Sequence, residues 1–150
     1  MTVIVGNKEM PYLVANQTND IMYITDDKSL RQVKLEFQDK FPWLKLEFYN
    51  NSHEVGKASS EDDHLDDDKT IGEVRKVHTE GELSIHGNLK VASLEEEFKD
   101  GYGLNVQVFR RSGEIWLQTT STDDWTLTEQ NDKGANSGST GGVVESYEVD

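Results

Sequence analysis

Two segments of the chain place a pair of carboxylates in the same local pattern. The stretch "DDWTLTEQ" (123–130) and the earlier stretch "DDKTIGEV" (67–74) both read Asp-Asp-x-Thr-(Ile/Leu)-x, and each has a Glu three residues after the Thr. Paired carboxylates suit acid–base chemistry or a divalent cation. The same spacing is also typical of a helix start, in which Thr70 or Thr126 caps the first turn and the glutamate completes a capping box. Because the pattern occurs twice with different neighbours, we expect two capped helical turns and no active site.

The most acidic segment is "SSEDDHLDDDKTIGE" (59–73), with six carboxylates within residues 61–68. If it were a calcium loop that begins at Asp62, His64 would be the third-position ligand and Asp67 would stand where an EF-hand needs glycine. The sequence therefore argues against an EF-hand. We interpret the segment as a solvated loop, and weak binding of divalent cations by residues 61–68 stays open.

Other signatures of catalysis or cofactor binding are missing from the sequence. The four histidines, at positions 53, 64, 78 and 86, form neither an HExxH motif nor a pair four residues apart. No GxSxG, GxGxxG or GxxxxGK[ST] motif occurs. A chain without cysteine has no disulfide, thiolate ligand or cysteine nucleophile. We therefore predict no catalytic residues, no metal ligands and no cofactor, and an enzyme acting on a small molecule is the least favoured function.

The composition limits the class of partner. The 150 residues are enough for one domain, and 29 acidic against 15 basic residues give a formal net charge of -14. Such a charge repels nucleic-acid phosphates and anionic lipid, so the expected partner is a protein and neither nucleic acid nor membrane. The first residues lack the pattern of a signal peptide, and no apolar run approaches the length of a membrane span. We expect a cytoplasmic protein.

The middle of the chain contains an internal repeat. In "SLRQVKLEFQDKFPWLKLEFYN" (29–50) and in "VASLEEEFKDGYGLNVQVFRRSG" (91–113), apolar residues first follow a helical spacing and then alternate as in a half-buried strand. A short strand precedes each helix, at "IMYIT" (21–25) and "ELSIH" (82–86), and an Asp-Asp-x-Thr element follows each second strand. Each copy is therefore predicted to be strand, helix, strand and capped turn.

Two such copies favour an α+β fold. We expect duplicated βαβ units in a ferredoxin-like, mainly antiparallel sheet with both helices on one face. The stretch "EIWLQTT" (114–120) adds an edge strand through a hairpin at "RSGE". Two separate lobes, one per copy, are the competing architecture, which we disfavour because units of about 60 residues are marginally stable.

The predicted domain boundaries follow from composition. Residues 20–130 form one domain of two repeats (about 20–78 and 81–130), and residues 1–19 are a loose segment or an edge strand. Residues 131–150 combine the Gly- and Ser-rich run "NDKGANSGSTGG" with the acidic run "VVESYEVD", which is typical of a flexible tail. This tail is either frayed or a tethered segment that docks on an edge of this chain or of a partner.

The duplicated unit resembles one found in small bacterial proteins of unknown function, which carry "LxxEFxxxF", a short turn, an alternating strand and "DDxTL". The resemblance covers roughly residues 21–130 of this sequence. It implies the repeated fold and brings with it no activity, cofactor or catalytic residue.

Aromatic residues on the predicted sheet supply the candidate binding surface. If Leu104, Val106 and Val108 pack under the helices, then Phe109, Arg111 and Trp116 lie on the opposite sheet face. We predict that these three residues and Trp125 bind a partner, although the chain termini could cover the same face. The leading hypothesis is a non-enzymatic interaction module, and self-association into a dimer through edge strands is the alternative.

Overall fold

A computed structural model describes the backbone of residues 2–5 and 8–11 and the complete residues 20–50 and 63–137. Its elements are β1 (Thr2–Val5), β2 (Lys8–Pro11), β3 (Ile21–Ile24), α1 (Leu30–Lys40), β4 (Leu44–Tyr49), α2 (Ile71–Val74), β5 (Gly81–Ser84), α3 (Val91–Glu96), β6 (Asn105–Ser112), β7 (Ile115–Gln118) and α4 (Leu127–Ser137). A π-helical turn, Glu97–Gly101, continues α3. The predicted α+β class is confirmed.

The strands pair in three separate antiparallel ladders, in the orders β1–β2, β3–β5 and β4–β6–β7. The first strands of the two predicted repeats therefore pair with each other, and so do the second strands. Among the described residues no ladder joins β3–β5 to β4–β6–β7, so the strands do not form the single continuous sheet that we expected. Strand β1 pairs with β2, and among the described residues it does not extend either of the other ladders.

The core lies between the helices and one face of the β3–β5 and β4–β6–β7 ladders. Helix α1 begins at Leu30, because the Ser29 side chain accepts a hydrogen bond from the Gln32 N–H at 3.0 Å. The helix buries Leu30, Val33 and Phe37 and leaves Leu35 55% exposed. Helix α3 and the π-helical turn after it bury Val91, Leu94 and Phe98 at the same spacing. The helical stripes that hydrophobic spacing predicted are thus confirmed at both helices, with Leu35 outside the stripe.

The two Asp-Asp-x-Thr elements are helix starts, as predicted. Thr70 and Glu73 form a capping box at α2, with each side chain bonded to the other residue's backbone N–H. At α4 the Thr126 N–H donates to Glu129 at 2.9 Å, and the Glu129 N–H donates to Thr126 Oγ1 at 3.1 Å. The threonines, and not the aspartates, supply the capping oxygen.

Both elements also hold the start of the preceding long helix by matching backbone bonds. At α1, Leu30 and Arg31 donate to the carbonyls of residues 69 and 67, at 2.9 and 3.1 Å. At α3, Val91 and Ala92 donate to the carbonyls of residues 125 and 123, at 3.0 and 2.7 Å. The bridges Ser29↔Thr70 and Lys90↔Thr126 lie at the corresponding positions.

The interpretation of residues 131–137 as linker is wrong, because α4 extends to Ser137. Packing decides against composition here. A Cβ on the buried Gly134 would stand 2.8 Å from Trp43 Cβ, so the absence of a side chain lets the helix approach β4. Asn131 accepts a hydrogen bond from the Trp43 N–H at 2.9 Å, and the fully buried Gln130 binds Arg110. Residues 138–150, including the predicted docking segment, lie outside the described residues, as do residues 51–62, which include the first four residues of the stretch 59–73.

Candidate functional site

Three of the four residues predicted to bind a partner, Phe109, Arg111 and Trp116, lie on the face of the β4–β6–β7 sheet that points away from the core. In the register of the sheet, Lys45 pairs with Phe109, which pairs with Gln118, and Arg111 pairs with Trp116. Residues paired in this way project from the same side of a sheet. The hairpin, its alternation and the shared side of Phe109, Arg111 and Trp116 are confirmed.

Two cations stand over the aromatic rings of this surface. The Lys45 Nζ lies 5.2 Å from the centroid of the Phe109 ring and 5.1 Å from that of Trp116. The Arg111 guanidinium lies 5.4 Å from the Trp116 centroid. These are cation–π distances, and each such contact is worth roughly 0.5–1 kcal/mol at exposed sites. We call Lys45, Phe109, Arg111 and Trp116 the aromatic face.

Neighbouring groups fix the two cations in place. Lys45 Nζ is 3.2 Å from Glu47 Oε2, and Arg111 Nε donates to the Gly113 carbonyl at 2.7 Å. Gly113 has φ +60°, a conformation that glycine adopts at no steric cost, and it makes the turn between β6 and β7. The aromatic face therefore presents two oriented positive charges and two half-buried rings.

No family model, curated protein or solved structure matches this chain. Its function is therefore inferred from the geometry of the described residues. In the part of the chain that is described, no helix combines the length and hydrophobicity that crossing a membrane requires.

Trp125 does not join the aromatic face. Its ring lies 5.9 Å from the guanidinium of Arg110, which projects from the opposite side of β6 and is 4% exposed. Its carbonyl accepts the Val91 N–H at 3.0 Å. Trp125 thus covers a buried arginine, whereas Lys69, at the same position of the other Asp-Asp-x-Thr element, is exposed.

Lys45 belongs to the aromatic face but was not among the predicted residues. Its alternation with Leu44 and Leu46 predicted an outward side chain. Its position beside Phe109 depends on the pairing of β4 with β6, which the ferredoxin-like prediction did not contain.

A second polar cluster brings together Glu47, His64 and Asp67, whose ligand atoms lie within 4.8 Å of one another. The Lys34 ammonium donates to both carboxylates, at 2.9 Å to Asp67, and His64 Nε2 lies 2.8 Å from Glu47 Oε1. Burial alone would raise the pKa of Glu47, but the bonds from Lys34 and His64 outweigh it and hold this pKa below its ordinary value. The lysine supplies the positive charge that a metal ion would bring.

Replacing Lys34 by Met is expected to lower the free energy of unfolding by about 1 kcal/mol. The change leaves two carboxylates without their cation, and the partial exposure of the cluster keeps the cost below that of a fully buried pair. We also expect Zn²⁺ to raise the melting temperature of this variant more than that of the parent protein. Calorimetry with and without Zn²⁺ measures both effects, with the 55% exposed Lys69 replaced by Met as the matched control. An equal rise in melting temperature with Zn²⁺ in the Lys34 variant and the parent protein would contradict the interpretation that Lys34 takes the place of a metal ion.

Among the described residues Glu95, on α3, is the one acidic residue that is buried, with 9% exposure. Its Oε2 accepts the Val108 N–H at 3.0 Å. The pKa of Glu95 is raised to about 8, mainly by burial and to a smaller extent by the charge of Asp123, while the Val108 bond opposes the rise. A proton on this carboxyl group is therefore retained at neutral pH. The sequence prediction missed this group, and its only local signal is a carboxylate directly after Leu94 on the buried stripe.

Proposed function

We propose that this protein is a non-enzymatic binding module that holds an acidic segment of a partner protein on the aromatic face. The observation that carries the proposal is the placement of Lys45 and Arg111 over Trp116 in a chain whose net charge is -14. A local positive surface on an acidic protein attracts a negatively charged segment and repels the rest of its own kind. We propose the cytoplasm as its location.

The chemistry of the aromatic face fits such a segment. Carboxylates of the partner would accept hydrogen bonds from the Lys45 ammonium and the Arg111 guanidinium, and apolar side chains would pack on the rings between them. Trp and Arg are the residues that most often dominate binding energies at protein interfaces. The glutamate and glycine contacts described above hold both cations in position before binding, which lowers the entropy cost of association.

Replacing Trp116 by Ala is expected to weaken binding of an acidic peptide at least tenfold. The probe is a twelve-residue peptide in which Glu alternates with Val and Tyr, and its charge-reversed counterpart carries Lys for Glu. Titration followed by NMR should shift the amides of Lys45, Phe109, Arg111 and Trp116 with the acidic peptide alone, and less so at high salt.

The control variant is Tyr23→Ala, which removes a 55% exposed aromatic ring from the separate β3–β5 ladder. It should leave peptide binding unchanged. Equal binding of the two peptides, or an unchanged affinity of the Trp116 variant at parental stability, would refute the proposed function.

Self-association through edge strands is the second candidate function. Among the described residues β4 and β7 are the edge strands of their sheet, and β7 favours pairing because the outer edge of β4 already accepts the Leu65 N–H at the Phe48 carbonyl. The β3–β5 ladder is less suited to it. The carbonyls of Tyr23 and Glu82 already accept hydrogen bonds from Lys28 Nζ at 2.7 Å and from the Tyr102 hydroxyl at 2.6 Å. Bonds of this kind protect an edge from pairing. Light scattering tests the hypothesis, which a mass of one chain at all concentrations would remove.

We also infer that the chain contains two copies of one strand–helix–strand–capped-turn unit, as in the small bacterial proteins that the sequence resembles. The matching backbone bonds at residues 30 and 91 and at 31 and 92 support this inference. Each capped turn also bonds to the loop before the long helix, in a contact that we call a crossing. The Gly72 N–H donates to the Asp26 carbonyl at 2.9 Å, and the Thr128 N–H donates to the Gly87 carbonyl at 3.0 Å, which supports the inference as well. The strand pairing between the copies then differs from that of a ferredoxin-like sheet.

A further inference from the structure

The end of α4 lies at the turn between β6 and β7. The hydroxyl of Ser137, the last residue described, accepts the Gly113 N–H at 3.0 Å and is 3.2 Å from the Arg111 carbonyl. Arg111 itself binds the Gly113 carbonyl through Nε. The chain therefore continues into residue 138 at the hairpin turn, at the same end of the sheet as the Arg111–Trp116 pair.

The sequence that follows complements the aromatic face. Residues 138–142 are "GSTGG", and residues 143–150, which we call the acidic segment, are "VVESYEVD". The acidic segment contains carboxylates, valines and a tyrosine but neither lysine nor arginine. Its carboxylates match the two cations of the aromatic face, and its apolar side chains match the rings.

The aromatic face is short compared with the reach of the residues that connect Ser137 to the acidic segment. Along β6 the aromatic face extends from Arg111 to Phe109, two residues or roughly 7 Å. Five connecting residues can span up to about 17 Å. A tether of this length gives a millimolar effective concentration, so even a weak contact would be populated.

We propose that the acidic segment occupies the aromatic face of its own chain and competes with the partner for it. The proposal rests on the function proposed above, because it assigns a regulator to the same surface. The apparent dissociation constant for the partner is then the intrinsic constant divided by the fraction of molecules whose aromatic face is unoccupied. Raising the ionic strength weakens the intramolecular contact as well as the partner contact.

A spin label on the full chain tests this arrangement. Because the chain has no cysteine, Val144→Cys carries a single nitroxide. It should broaden the amide signals of Lys45, Phe109, Arg111 and Trp116. The matched control carries the same label and the neutralising changes Glu145→Gln, Glu148→Gln and Asp150→Asn, which keep the tether and remove the charge. We expect at least a twofold smaller paramagnetic relaxation rate in the control.

The acidic peptide is also titrated into the unlabelled parent chain and the unlabelled neutralised chain. This measurement separates the proposed function from the proposed occupation of the aromatic face by the acidic segment. Support for both is charge-dependent broadening with at least fivefold tighter peptide binding to the neutralised chain. Equal broadening in the two labelled chains, with equal peptide affinity, overturns the inference and leaves the proposed function intact. Charge-dependent broadening without peptide binding to either chain keeps the intramolecular contact and overturns the function. The absence of both effects overturns both.

Discussion

Replacing Glu95 by Gln is expected to raise the free energy of unfolding by about 2–4 kcal/mol at pH 8, and by nothing at pH 4. The folded protein holds the Glu95 carboxyl with a pKa of about 8, well above its ordinary value of 4.5. Between these values the unfolded chain releases the proton and the folded chain keeps it, so stability falls as the pH rises through this window. Each unit of pKa difference corresponds to roughly 1.4 kcal/mol.

Glutamine removes this dependence and keeps the local geometry. Its side-chain carbonyl can accept the Val108 N–H as the carboxyl group does, and it never ionises. Urea unfolding at intervals from pH 4 to 9 measures the effect, and Glu96→Gln is the matched control, because this neighbour is exposed. An unchanged slope of stability against pH in the Glu95 variant would show that the carboxyl group is not held protonated.

Local sequence features predicted the parts of the fold that depend on neighbouring residues. The helical stripe of α1, the alternation of β6 and β7 and the two Thr caps each follow from residues within a few positions of one another. The aromatic face depends on more than this. Phe109, Arg111 and Trp116 share a hairpin and were predicted, whereas Lys45 reaches them through the β4–β6 register. Pairing between distant strands has no local signature, because several registers can bury the same alternating residues.

Composition led to the wrong prediction at α4 for a related reason. Gly134 and Asn131 lower helix propensity, and on their own they favour a linker. Both residues face Trp43, where the small side chain of one and the amide of the other make the contact possible. Tertiary packing of this kind routinely overrides propensity, and it is invisible without the partner strand.

The proposed repeat explains why two matching polar positions differ in charge. Lys34 on α1 and Glu95 on α3 each stand directly after a buried aliphatic residue and three residues before a buried phenylalanine. In the first copy the side chain is a cation between Glu47 and Asp67. In the second copy Gln107 stands at the sequence position that corresponds to Glu47, and Glu95 accepts the Val108 N–H while its burial raises its pKa. One backbone position thus satisfies burial by pairing charges in one copy and by retaining a proton in the other.

The crossing between the loop at Gly87 and the capped turn at Thr128 leaves no room for a side chain at position 87. A Cβ on Gly87 would stand 2.0 Å from Thr128 Oγ1. Gly87→Ala is therefore expected to lower the free energy of unfolding by about 1–3 kcal/mol, the usual cost of overpacking. Adding Thr128→Ala removes the clashing oxygen and leaves the two Cβ atoms 3.4 Å apart, so the double variant should recover most of the loss. Thermal unfolding of the four chains gives the coupling energy.

The control for this cycle is Gly101→Ala, where a Cβ would meet nothing within 4 Å and no loss is expected. A coupling energy near zero between positions 87 and 128 would mean that the loop shifts to admit the methyl group.

In the crossing between residues 26 and 72 the glycine lies in the capped turn, whereas in the other crossing it lies in the loop. A second substitution therefore relieves the clash less easily here. A Cβ on Gly72 would stand 2.9 Å from Asp26 Cβ and 3.2 Å from its carbonyl oxygen. Truncating Asp26 cannot relieve the clash at no cost, because this carboxylate accepts two bonds from Arg75, whose side chain is 0% exposed. We therefore expect Gly72→Ala to destabilise the protein and Asp26→Ala to worsen it. The two crossings contain the same backbone hydrogen bond. We expect a second substitution to restore stability only at the crossing between Gly87 and Thr128.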